Sequence, residues 1–130
     1  MRAPGIAVLF LSAIILWLPL GSVRADNFVN VRYDGQTDEL VVTMAYRGTN
    51  ADHTFSLHWG QCRDSEQGKP TEIVAEVLDD QWKDEAQHGF KKTTRFGLAQ
   101  LHCRPAKVTL RTAPRFYYTL LIPNASAATR

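Results

Sequence analysis

The chain has 130 residues, 45% of them hydrophobic and 22% charged, which fits one small globular domain and leaves no room for a second. Its net charge of +2 does not mark a strongly basic protein, because Arg2 and Arg24, two of the 15 basic residues, lie in an N-terminal leader and the rest balance the 13 acids. With that balance and no recognition motif, a nucleic-acid partner is not expected.

The leader has a short basic start at Arg2, an apolar run from Ile6 to Leu20 and then Gly21-Ser22-Val23-Arg24-Ala25. Val23 and Ala25 occupy the small-residue positions that a signal peptidase reads. The run is shorter than the roughly 20 apolar residues a membrane anchor needs. The expected organisation is therefore a cleaved signal peptide over 1–25, a single domain over 26–123 and a flexible tail over 124–130, with no membrane span in the mature chain. The expected location is periplasmic or secreted.

Period-two alternation dominates the chain beyond the leader. Val29, Val31 and Tyr33 alternate with Asn30 and Arg32, and Asp34-Gly35 turns the chain. Leu40, Val42, Met44 and Tyr46 define one face of a second strand, closed by the loop Gly48 to Asp52. His53 to Trp59 reads as a third, with Phe55, Leu57 and Trp59 in one phase and Thr54, Ser56 and His58 in the other. Arg63 to Pro70 is a polar loop, and Thr71 to Leu78 resumes alternation through Ile73, Ala75 and Val77. Gln81 to His88, with early acids and Gly89 at its end, predicts one short helix. Phe90 to Leu98 is a strand with Lys92 and Thr94 in its apolar phase, and Val108 and Leu110 mark another over Ala106 to Thr112. Ala113-Pro114 turns into Phe116 to Ile122, which is apolar on both phases and reads as a central strand.

Seven short strands with at most one short helix predict an all-β, antiparallel two-sheet sandwich, with immunoglobulin-like topology as the commonest form and a small closed barrel as the alternative. The full immunoglobulin signature is absent, since Trp82 falls outside the predicted strands and Leu101 stands where a tyrosine corner would be.

Cys62 and Cys103 are the chain's two cysteines. In an exported domain this small they predict one disulfide, which closes a long loop. Each cysteine brings a histidine, His58 four residues before and His102 adjacent, so a reduced His58, Cys62, His102, Cys103 cluster would offer copper or zinc its preferred ligands. The spacing matches no regular zinc pattern, and export favours the disulfide over this alternative and over a nucleophilic thiol. No G-x-S-x-G is present, and no acid, base and nucleophile set stands out, so the chain is not read as an enzyme and implies no cofactor. Asp79, Asp80, Asp84 and Glu85 lack the glycine and alternating acids of a calcium loop and read as a solvated turn.

From Gln87 onward there are eight Lys or Arg and no acid. Lys91, Arg95, Lys107, Arg111 and Arg115 fall mostly on polar phases of successive strands. Either they converge on an anion-binding face, or they pair across strands with the acidic half. Trp59, Trp82, Tyr117 and Tyr118 suggest core-edge aromatics or a ligand platform, and Asn124-Ala125-Ser126 is a sequon in the tail. The expected function is a disulfide-stapled binding or inhibitory module, whose partner is another protein or an anionic component of the cell envelope. Its loops over Gly48–Asp52, Arg63–Pro70 and Asp79–Gly89 are the first places to look for contact.

Overall fold

Alternating side chains can bury one face only if a second sheet covers it, and that is how this chain folds. The computed structural model of the protein describes residues 26–112 and 116–125. Its strands are β1 (Asn27–Asp34), β2 (Glu39–Gly48), β3 (Phe55–Trp59), β4 (Thr71–Asp79), β5 (His88–Gly97), β6 (Ala106–Thr112) and β7 (Phe116–Ile122). The leader, Arg115 and the last residues of the tail, with the serine of the sequon, lie outside the described residues.

The strands form a three-stranded sheet, β1-β2-β5, and a four-stranded sheet, β3-β4-β6-β7. Their inner faces meet in one core built from Leu40, Val42, Met44 and Tyr46 of β2, Ile73, Ala75 and Val77 of β4, and Val108 and Leu110 of β6. Each large apolar side chain withdrawn this way contributes about 1.5–3 kcal/mol. β2, β4 and β6 are the interior strands of their sheets, so they supply most of the core.

Three features depart from the sequence reading. The short helix expected over Gln81 to His88 is absent, and no helix occurs among the described residues. Acids in and just before the segment cap loops instead: Asp79 Oδ1 accepts the Gln81 amide at 2.9 Å, and Asp84 Oδ1 accepts the Ala86 amide at 3.1 Å. Next, Phe116–Ile122 is an edge strand, paired on one side only among the described residues, although its two apolar phases suggest a central one. Lastly, the sandwich is not antiparallel throughout, because β4 and β6 run parallel. An immunoglobulin-like plan would set the third strand beside the sixth, whereas here the fourth takes that place. β3 has five residues and no acid, while β4 places Glu72 and Glu76 opposite Lys107 and Arg111 of the seven-residue β6.

The disulfide joins Cys62 to Cys103 across 41 residues, with Cα atoms 6.3 Å apart. It sits at the end of the sandwich where β4 and β6 begin. Thr71 and Ala106 are the first pair of the parallel register, and the Arg63–Glu72 bridge ties the intervening loop to β4. Beside it Arg104, its side chain 7% exposed, donates to both Asp38 oxygens at 2.6 and 3.0 Å and to the Leu98 carbonyl at 2.7 Å. Tyr33 donates to the same carboxylate at 3.0 Å. Replacing both Cys62 and Cys103 with Ala is expected to lower the stability of the oxidised protein by about 4 kcal/mol, the chain-entropy value for a loop of this length. Unchanged denaturant midpoints would contradict a structural role for the bond.

Candidate functional site

The cysteine–histidine cluster does not assemble as a ligand set. Both sulfurs are used in the disulfide, so neither offers a thiolate. His58 lies on the outer face of β3, opposite Glu76 and 3.2 Å from the Ser56 hydroxyl, and His102 is exposed in the loop before β6. Among the described residues no group of three or more His, Cys, Asp and Glu is placed to hold a metal ion.

The basic residues separate onto different surfaces. Lys91 and Arg95 project from the outer face of β1-β2-β5, and Lys107 and Arg111 from the opposite side of the sandwich, on β3-β4-β6-β7. Arg95 donates to Glu39 at 2.7 Å and to Asp34 at 2.6 Å, which holds both carboxyls below their usual range. Lys107 reaches Glu72 at 3.4 Å, and Arg111 reaches Glu76 at 3.1 Å. The opposite signs of the two halves are therefore largely spent on one another, in exposed pairs worth tenths of a kcal/mol each.

Lys91 is different. No carboxylate lies within ion-pair distance of it among the described residues, and the same holds for Arg47, whose guanidinium donates to the Gln87 amide oxygen at 2.9 Å. β2 and β5 bring these two cations together, since Ala45 is registered with Lys91 and Arg47 with Gly89. The small residues Ala45 and Gly89 leave an open depression of about 490 Å³, lined also by Asn27, Tyr46 and Phe90. The Tyr46 and Phe90 side chains turn away from it into the core, where the Tyr46 ring stacks on Phe90 at 5.8 Å and meets Phe55 edge-on at 5.2 Å.

The aromatic platform does not form. Trp59 packs on the core from the inner face of one edge strand, while Tyr117 points outward from the other. Trp82, 66% exposed, lies in the β4–β5 loop with Lys83 Nζ 5.0 Å above its ring.

One cluster escaped the sequence reading. His53 is completely buried at the end of the sandwich opposite the disulfide, with Nδ1 2.8 Å from Asp79 Oδ2 and Nε2 3.4 Å from Asp84 Oδ2. Asp84 also accepts the Thr49 amide at 2.5 Å and the Thr49 hydroxyl at 2.9 Å. Lys92 reaches inward to the His53 carbonyl at 2.7 Å. Together these groups latch the β2–β3 loop to the β4–β5 loop. Gly48 makes room for the latch, because a Cβ there would overlap His53 Nε2 and lie 2.8 Å from Asp84 Oδ2. The signal was present in the alternation: His53 shares the phase of Phe55 and Leu57, and Asp79 that of Ile73, Ala75 and Val77. Two polar residues on inward phases of neighbouring strands imply each other as partners.

No known protein family matches this chain, and neither the curated proteins nor the solved structures yield a match. The site must be read from its own geometry.

The latch carries a pH dependence of definite sign. Amide donors from Thr49 and Ala86 hold the Asp84 carboxyl well below its ordinary value of 3.8. Between the folded and ordinary values the unfolded chain binds more protons, so this stabilisation is complete above pH 3.8 and is lost as pH falls further. In denaturant melts across an acid series, the native protein should lose stability more steeply below that point than Asp84→Asn. Identical slopes would contradict the latch.

Proposed function

We propose that the chain is an exported binding module, periplasmic or secreted, that uses Arg47 and Lys91 to hold an anionic group of another protein or of the cell envelope. What carries this reading is the depression between β2 and β5, where two cations without carboxylate partners among the described residues flank the small residues Ala45 and Gly89. Its volume of about 490 Å³ falls in the range of ligand clefts, ~300–1,000 Å³. Arg47 presents a planar fork and Lys91 a point charge, which suits sulfate, phosphate or carboxylate groups.

Export is supported by the leader's basic, apolar and small-residue segments and by the disulfide, which suits an oxidising compartment. Among the described residues no helix is long and apolar enough to cross a membrane. Catalysis is disfavoured by burial. His53 with Asp79 is the nearest approach to an acid–base couple, and the ring has no exposed surface for a substrate to reach.

Binding to immobilised heparin, used as a polyanion probe, tests the assignment. Arg47→Gln with Lys91→Gln should weaken it ~30-fold at low salt, from about 1 kcal/mol for each cation at an anionic surface. The paired cations serve as control, so Lys107→Gln with Arg111→Gln should change little. Equal losses in the two double variants, or binding that does not respond to salt, would reject the depression as the site.

A further inference from the structure

We propose that β7 is the pairing edge of a homodimer: two copies join β7 to β7 antiparallel about a two-fold axis at Thr119, merging two four-stranded sheets into one of eight strands.

The composition of β7 does not match its place in the sheet. Phe116-Tyr117-Tyr118-Thr119-Leu120-Leu121-Ile122 is apolar on both phases, the pattern of a strand with neighbours on both sides, yet among the described residues β6 is its one hydrogen-bonded neighbour. Tyr117 and Leu121 stand 64% and 59% exposed on the outer face, and Tyr118 is 38% exposed on the inner face, edge-on to Phe28.

The other three sheet edges carry devices that discourage pairing. β1 is bulged between Phe28 and Asn30, β3 has five residues, and β5 bears Lys91, Lys92 and Arg95. β7 has none of these. It is seven residues long, holds an unbroken register with β6 and contains no charged side chain. An apolar edge that pairs on one side only invites aggregation, so a stable protein keeps it covered.

Charge identifies what covers it. Among the described residues the nearest cations on the outer face, Lys107 and Arg111, are already matched by Glu72 and Glu76 on their far side, so β7 itself offers no counter-charge to an incoming strand. The partner must be extended, apolar and uncharged over about seven residues. Of this chain's own edge strands, β1 and β5 are charged and β3 is too short, so β7 of a second copy is the one that fits.

The sequence of β7 suits pairing with itself. An antiparallel register about Thr119 sets Phe116 opposite Ile122, Tyr117 opposite Leu121 and Tyr118 opposite Leu120, each an aromatic against an aliphatic side chain. The two Thr119 hydroxyls meet at the axis, repeating the Thr109–Thr119 contact of 3.1 Å inside each copy. Such an interface is isologous and closes at two chains.

The test uses the full exported chain, oxidised and purified without reductant, in sedimentation equilibrium. The expected mass is that of two chains. Thr119→Lys and Thr119→Glu, on an exposed position, should each sediment as one chain, because like charges then face each other at the axis, and an equimolar mixture should regain the dimer mass. A single-chain native protein overturns the proposal, and so do variants that remain dimeric or a mixture that stays monomeric. If either variant fails to melt cooperatively, Leu121→Lys replaces it, with monomer expected and an undiminished dimer overturning the proposal.

Discussion

The structure depends on one strand pairing that no local signal supplies, the parallel ladder between β4 and β6. Without it the four-stranded sheet falls into two hairpins, and the core loses the wall formed by Ile73, Ala75, Val77, Val108 and Leu110. Parallel partners cannot be joined by a tight turn, and here the chain between them detours through β5 in the other sheet. Loop closure on that scale opposes folding before any contact offsets it. The Cys62–Cys103 bond removes much of that entropy from the unfolded chain, and it lies where the ladder begins, ahead of Thr71 and Ala106. Glu72 opposite Lys107 and Glu76 opposite Arg111 then favour one register over its neighbours, since a slip of one residue would turn the apolar phases outward.

The two ends of the sandwich are secured by different chemistry. At the disulfide end, the covalent link and the Arg104–Asp38–Tyr33 network hold the connections that lead into β2, β4 and β6. At the far end no covalent tie exists, and the buried His53 between Asp79 and Asp84 gathers the β2–β3 and β4–β5 loops. A polar cluster there is costly unless every group is met, and donors from Gln81, Thr49 and Ala86 meet the carboxylates. The depression flanked by Arg47 and Lys91 lies one strand face away, so the latch also fixes the backbone on which those cations stand.

Most of the architecture was legible in the alternation of apolar residues, because period two is a direct consequence of the pleat. Val31, Leu40, Val42, Met44, Ile73, Val108 and Leu110 all fall on inward phases. The disulfide followed from the cysteine count. Strand order was not legible, because which strands share a sheet depends on pairings between distant segments. The position of β7 was misread for a related reason: an apolar strand and a central strand look alike in sequence, and they differ here only by what lies on the open side. The basic residues were visible, but not which ones were already matched. Arg95, Lys107 and Arg111 have acids within reach, while Arg47, outside the basic half, has none among the described residues. His53 was read as the start of a strand and Asp79 as part of a solvated turn, when their inward phases made them a buried pair.

Native-state hydrogen exchange on the oxidised and the reduced protein is the most direct test of the disulfide as the constraint on the β4–β6 ladder. If the bond holds the start of that ladder, reduction lowers amide protection first in β4 and β6, while β2 keeps its protection against β1 and β5. Protection in β4 and β6 that is unchanged by reduction, or a loss that begins in the three-stranded sheet, would contradict the account.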